Sequence, residues 1–117
     1  MKDKISLTWK GVDYNLVFNL NVMEEIQEEY GSVSAWGELT DNEKEPNARA
    51  VIFGLTAMLN EGIDIDNEDN QGVEGYVPKR MLSCKQVGRL LTDVGMEEAT
   101  QRLNDTVINA VKSDEKK

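Results

Sequence analysis

Histidine is missing from this chain altogether. That excludes every His-dependent catalytic triad and the usual zinc sites, which draw on imidazole. Cysteine occurs once, as Cys84, so no internal disulfide can form and a reducing compartment is expected. Basic residues are outnumbered, 13 Lys and Arg against 22 Asp and Glu, which leaves a net charge of −9. Binding nucleic acid through its phosphates needs a basic face, so that class is disfavoured, and a basic protein partner suits the charge better. No apolar run approaches the roughly 18 residues of a membrane span. The opening MKDKISLTW has charge and no apolar stretch after it, and is not expected to act as a signal peptide. Neither a Gly-rich phosphate loop nor a Gly-x-Ser-x-Gly elbow is present.

The rest is an ordinary globular balance, 39% apolar and 30% charged over 117 residues. It predicts one α+β domain over 1–112, a mobile acidic loop at about 61–80 and a disordered tail at 113–117. Ile5, Leu7 and Trp9 alternate with polar residues, and Val12, Tyr14, Leu16, Phe18 and Leu20 alternate again. A two-residue loop at Lys10-Gly11 would pair Trp9 with Val12, Leu7 with Tyr14 and Ile5 with Leu16, all on one face of a hairpin. Alternatively, Gly11 carries the positive φ of a bulged turn. Such a hairpin is marginal alone and needs helices or a partner over its apolar face.

Past Leu20 the period changes from two to three and four. Asn19 or Asn21 can cap a helix in which Val22, Ile26 and Tyr30 stack. Glu24, Glu25, Glu28 and Glu29 take the other side, as a solvated face or as a site for a metal or a basic partner. Val33, Trp36 and Leu39 predict a short second helix. Ala48, Val51, Ile52, Leu55, Met58 and Leu59 predict a central core helix from Asn47 to Asn60, stopped by Gly62, with Gly54 permitting close packing. The stretch EGIDIDNEDNQGVEGYVPKR has no helical period and reads as a long surface loop. Its Asp density suggests calcium, but aligning Gly72 with the EF-hand glycine puts Pro78 where a bidentate Glu is required, and the motif fails. Ser83 and Gln86 form a capping box ahead of Val87, Leu90, Leu91 and Val94. Cys84 beside it reads as a small half-buried side chain, with no histidine to activate it. The last helix runs from about Met96 to Val111. The fold expected is therefore an N-terminal β-hairpin packed on about four to five helices, without enzymatic activity, cofactor or metal.

The order of these elements, with YNLVFNLNVMEEIQEEYGS and GRLLTDVG as its most telling pieces, resembles the small tail assembly chaperones of long-tailed (siphovirus-type) bacteriophages and phage-like elements. The resemblance spans roughly residues 5 to 112. It implies a non-enzymatic protein of the bacterial host cytoplasm that binds the long, largely helical tape measure protein. The client stays soluble until tail tube protein polymerises around it. Many genes of this family also give a longer product by ribosomal frameshifting. Neither nucleic acid nor membrane is implied as a partner, and oligomeric state stays open. The candidate partner-binding residues are Trp36, Leu103, Val107 and Val111, with Glu24 and Glu28 on the acidic helix face. Trp36 is equally a core residue, and the last helix's stripe could equally build the monomer core. Two other readings remain: an acidic DNA-mimic inhibitor of a nucleic-acid-binding protein, and a structural tail or connector component.

Overall fold

The structure, a computed structural model, describes residues 5–41 and 45–115, with side chains through Val111. Strands β1 (Ser6–Trp9) and β2 (Val12–Asn15) form an antiparallel hairpin. Its register pairs Trp9 with Val12 and Leu7 with Tyr14, and Leu16 N–H donates to the Ile5 carbonyl at 2.8 Å. The alternation of the sequence is thus the pairing of the strands. Lys10 and Gly11 both have positive φ, 51° and 76°, so the loop is a tight turn of the primed type that matches strand twist, with no bulge. Leu7, Trp9 and Leu16 are buried on one face, while Thr8 and Asp13 are exposed on the other and hydrogen-bond to each other.

Among the described residues five helices follow: α1 (Leu20–Tyr30), α2 (Val33–Thr40), α3 (Ala48–Asp69), α4 (Cys84–Val94) and α5 (Met96–Glu115). The fold is α+β, a two-stranded hairpin on a small helical bundle. Pairing ends at Asn15 although the alternation runs on. Val17 N–H turns to the Met58 carbonyl, and the Asn19 side chain caps α1 by accepting from Val22 N–H at 3.2 Å. Leu20 is consequently the first helical residue and points to solvent, 79% exposed. The capping box of α4 is present, with Gln86 N–H donating to Ser83 Oγ at 3.1 Å and Ser83 N–H to Gln86 Oε1 at 2.8 Å.

Helix α3 is the centre of the molecule. Val51, Leu55, Met58, Leu59 and Ile63 are all buried along it. The hairpin is tied to the other helices by two long-range hydrogen bonds, Trp9 Nε1 to Asp93 at 2.8 Å and Arg102 to the Ser6 carbonyl at 2.7 Å.

The expected end of α3 at Asn60, with Gly62 as its stop, is corrected: the helix continues to Asp69. Gly62 is buried against the hairpin, and the Asn15 carbonyl oxygen occupies the space a Cβ would need. The glycine is therefore a packing residue. Two acids on either side of it, Glu61 and Asp66, have tertiary partners. Glu61 accepts from the side-chain amides of Asn19 (2.7 Å) and Asn21 (2.9 Å). Asp66 accepts from Asn15 at 3.2 Å and pairs with Lys79 at 3.0 Å.

The mobile loop expected at about 61–80 is accordingly replaced by nine more helical residues, Glu61–Asp69, and a strap over 70–83. The strap is held on α3 by two asparagines whose amides imitate a strand partner. Asn60 donates to the Leu82 carbonyl and accepts from Leu82 N–H, both at 2.8 Å. Asn67 donates to the Lys79 carbonyl and accepts from Lys79 N–H, both at 3.0 Å, and also accepts from the Tyr76 hydroxyl at 2.7 Å. At the other end, α5 runs to Glu115, into the stretch expected as a disordered tail, and Lys116 and Lys117 lie outside the described residues.

Candidate functional site

The candidate residues divide into two groups on different parts of the molecule. Trp36 and Leu103 belong to the core, 1% and 0% exposed. The Trp36 indole N–H donates to the Ala50 carbonyl at 2.9 Å, and its ring stacks on Phe18 with centroids 6.3 Å apart. Neither side chain reaches the surface, so of the two alternatives, core or partner anchor, the structure places both residues in the core. The reason is spacing: α2 is short, so Trp36 at its middle faces α3 rather than the polar connections at its ends. Val107 is half-buried at the edge of a shallow cleft between α2 and α5, with Ile108 beside it. Val111 is 45% exposed further along α5.

Glu24 and Glu28 lie elsewhere, at the rim of a groove between α1 and α3. Its volume is about 390 Å³. The periodicity of α1 places Val22 and Ile26 in the core, which leaves Glu24, Glu25, Glu28 and Glu29 along one wall. The floor is Phe53, Thr56 and Ala57 of α3, with Asn60 and the exposed Cys84 closing one end. Phe53 falls outside the stripe that faces the core, and this groove is where it goes. Tyr30 meets it edge-on, with ring centroids 5.5 Å apart. Burial of the Tyr30 phenol, with the Glu29 carboxylate nearby, raises its pKa above 10.0, and Arg49 opposes the shift.

What the groove offers is shape and charge. Four carboxylates over an apolar floor can hold a cationic segment that inserts an apolar side chain. Among the described residues, no cluster of three or more His, Cys, Asp or Glu is arranged to hold a metal ion, and no helix is long and apolar enough to cross a membrane. The α1–α3 groove and the α2–α5 cleft share no lining residue: Glu24 and Glu28 line the first and Val107 the second.

A second groove, between the hairpin and the strap, has no counterpart in the expectations drawn above. Its signal is present in GYVPKRML, where apolar and basic residues interrupt an otherwise acidic stretch. No family model, curated protein or solved structure matches the chain.

Proposed function

We propose that this protein is a non-enzymatic binding protein of the tail assembly chaperone type. It would act in the cytoplasm of a bacterial host, where the α1–α3 groove takes helical segments of a tape measure protein and keeps that client from aggregating. The observation that carries the reading is the groove itself: Glu24, Glu25, Glu28 and Glu29 above an apolar floor. A long helical client exposes apolar stripes that associate with one another unless covered. An amphipathic helix with Lys or Arg beside its stripe would match both floor and rim. The net charge of −9 would keep the complex in solution. The resemblance in element order over residues 5 to 112 supports the same role, and a tail tube protein would then displace the chaperone as it polymerises.

The test is co-expression with the tape measure protein encoded in the neighbourhood of this reading frame. A soluble complex is expected, and the double variant Glu24→Lys/Glu28→Lys should return the client to the pellet while remaining folded itself. A client that stays insoluble with or without this protein ends the chaperone reading. Retention of the chain in purified particles would instead make it a structural tail component. Salt-sensitive binding to a DNA-binding protein, competed by duplex DNA, would make it a DNA mimic.

A further inference from the structure

The groove between hairpin and strap has a volume of about 480 Å³. Trp9, Val12 and Tyr14 line it from the hairpin, and Val77, Met81 and Leu82 from the strap. Val77 is 79% and Met81 49% exposed, although the backbone that carries them is pinned by Asn60 and Asn67. Apolar side chains on a fixed strap present a docking surface whose ordering cost is already met by the fold.

The charge of this groove opposes that of the chain. Its charged lining residues are Lys10, Lys79 and Arg80, with no acid among them, on a protein of net charge −9. Lys79 is committed to Asp66. Lys10 and Arg80 are exposed and form no ion pair among the described residues. The Lys10 ammonium sits 4.8 Å from the centre of the Trp9 ring, which sets one cation directly against the apolar floor.

We propose that this groove docks an acidic amphipathic segment of a partner protein. An aliphatic or aromatic anchor would lie against Val12, Val77 and Met81, and flanking carboxylates would meet Lys10 and Arg80. The surface shares no lining residue with the α1–α3 groove, so it extends the protein to a second partner of opposite charge and stands independently of the chaperone reading.

The test uses the full chain and a fluorescein-labelled peptide of about twelve residues, alternating Glu with Leu around a central Phe. Its counterpart carries Lys in place of Glu. Anisotropy should show binding of the acidic peptide, weakening as salt is raised, while the basic peptide, which suits the acidic α1–α3 rim instead, leaves the hairpin–strap residues unshifted. Lys10→Glu/Arg80→Glu should weaken it at least about tenfold, as reversal of rim charges does in other interfaces. Val77→Asp, at a site that is largely exposed, should weaken it comparably. Amide and indole shifts on titration should centre on Trp9 and residues 77–82. Failure of the acidic peptide to bind, shifts of Trp9 and residues 77–82 caused by the basic one, or unchanged affinity for the acidic peptide in both variants overturns the proposal. So does sedimentation showing that charge reversal breaks self-association, which would make a second copy the occupant.

Discussion

The Trp36 indole occupies the space that a side chain at residue 54 would need: a Cβ placed on Gly54 would lie 2.9 Å from Cε2 and 3.0 Å from Nε1 of the ring, with Cζ2 closer still. The same indole donates its N–H to the Ala50 carbonyl one turn earlier on α3. The helix therefore gives up a side chain so that a large ring can lie against its backbone. Gly54→Ala should destabilise the protein by about 1–3 kcal/mol through overpacking, despite the gain of about 1 kcal/mol in helix propensity. Trp36→Phe frees that space at its own cost, so the two changes should combine less than additively in urea unfolding. Gly88 on α4 is the control, since its Cβ would meet only Ile52 Cδ1 at 3.7 Å. Gly88→Ala should therefore stabilise by a few tenths to about 1 kcal/mol.

Asn67 carries three hydrogen bonds to the strap and Asn60 two. Removing either amide leaves backbone groups of the strap without their partners, at about 1–3 kcal/mol for each buried group left unpaired. Asn67→Ala should open residues 70–80 to hydrogen exchange and limited proteolysis while leaving α4 and α5 protected. Asn60→Ala should act nearer residue 82. Exchange that rises uniformly across the chain, or does not rise in the strap, would contradict the pinning role.

Much of this fold was legible because local and tertiary signals agree. Ile5, Leu7 and Trp9 face Val12, Tyr14 and Leu16 only if the loop is two residues long, and Lys10-Gly11 has that length. Ser83 and Gln86 mark a helix start that needs no tertiary help. The C-terminal third of α3 was not legible, because Gly62 and the Asp and Asn residues after it disfavour a helix locally. They are helical here because Asn15, Asn19, Asn21 and Lys79, distant in sequence, supply partners for Asp66 and Glu61 and a close backbone approach at Gly62. The candidate site divides the same way. The glutamate face of α1 follows from helical periodicity alone, so Glu24 and Glu28 could be placed on a surface. Whether an apolar stripe faces the core or a partner depends on the neighbouring elements. Trp36 and Leu103 proved to be core, while Phe53 became a groove floor.

Tyr30 carries a pH dependence whose sign is fixed by its surroundings. Its hydroxyl oxygen is buried and makes no hydrogen bond among the described residues, and its pKa is raised first by that burial and then by Glu29. A group whose folded-state pKa exceeds its unfolded value binds the proton more tightly when folded. Its contribution to stability is complete below pH 10.0 and is lost as pH rises through the higher folded value. Tyr30→Phe keeps the edge-on contact with Phe53 and removes the hydroxyl. The variant should be at least as stable as the parent at neutral pH, by up to about 1 kcal/mol, since a buried hydroxyl without a partner is itself a cost. Between about pH 9 and 11 its unfolding midpoint should fall less steeply than that of the parent. Identical slopes in urea titrations across that range would refute the assignment.

Cys84 gives a direct reading of the α1–α3 groove. It is exposed, it lines one end of the groove, and it is the only cysteine in the chain, so a maleimide reports on one place. Its neighbour Ser83 is held by the capping box, so labelling needs no local unfolding and should go to completion quickly in the free protein. A client helix seated over Phe53 and Ala57 would cover the thiol, and the labelling rate should fall by at least about tenfold at saturation if the bound state shields it for most of the time. An acidic peptide in the hairpin–strap groove should leave that rate unchanged, because Cys84 does not line it. The two surfaces can therefore be occupied and scored separately in one sample. Protection of Cys84 by a cationic client, lost in Glu24→Lys/Glu28→Lys, would tie binding to the acidic rim. A bound client that leaves the labelling rate untouched would place its contact elsewhere, with Val107 and Ile108 at the α2–α5 cleft as the next surface to test.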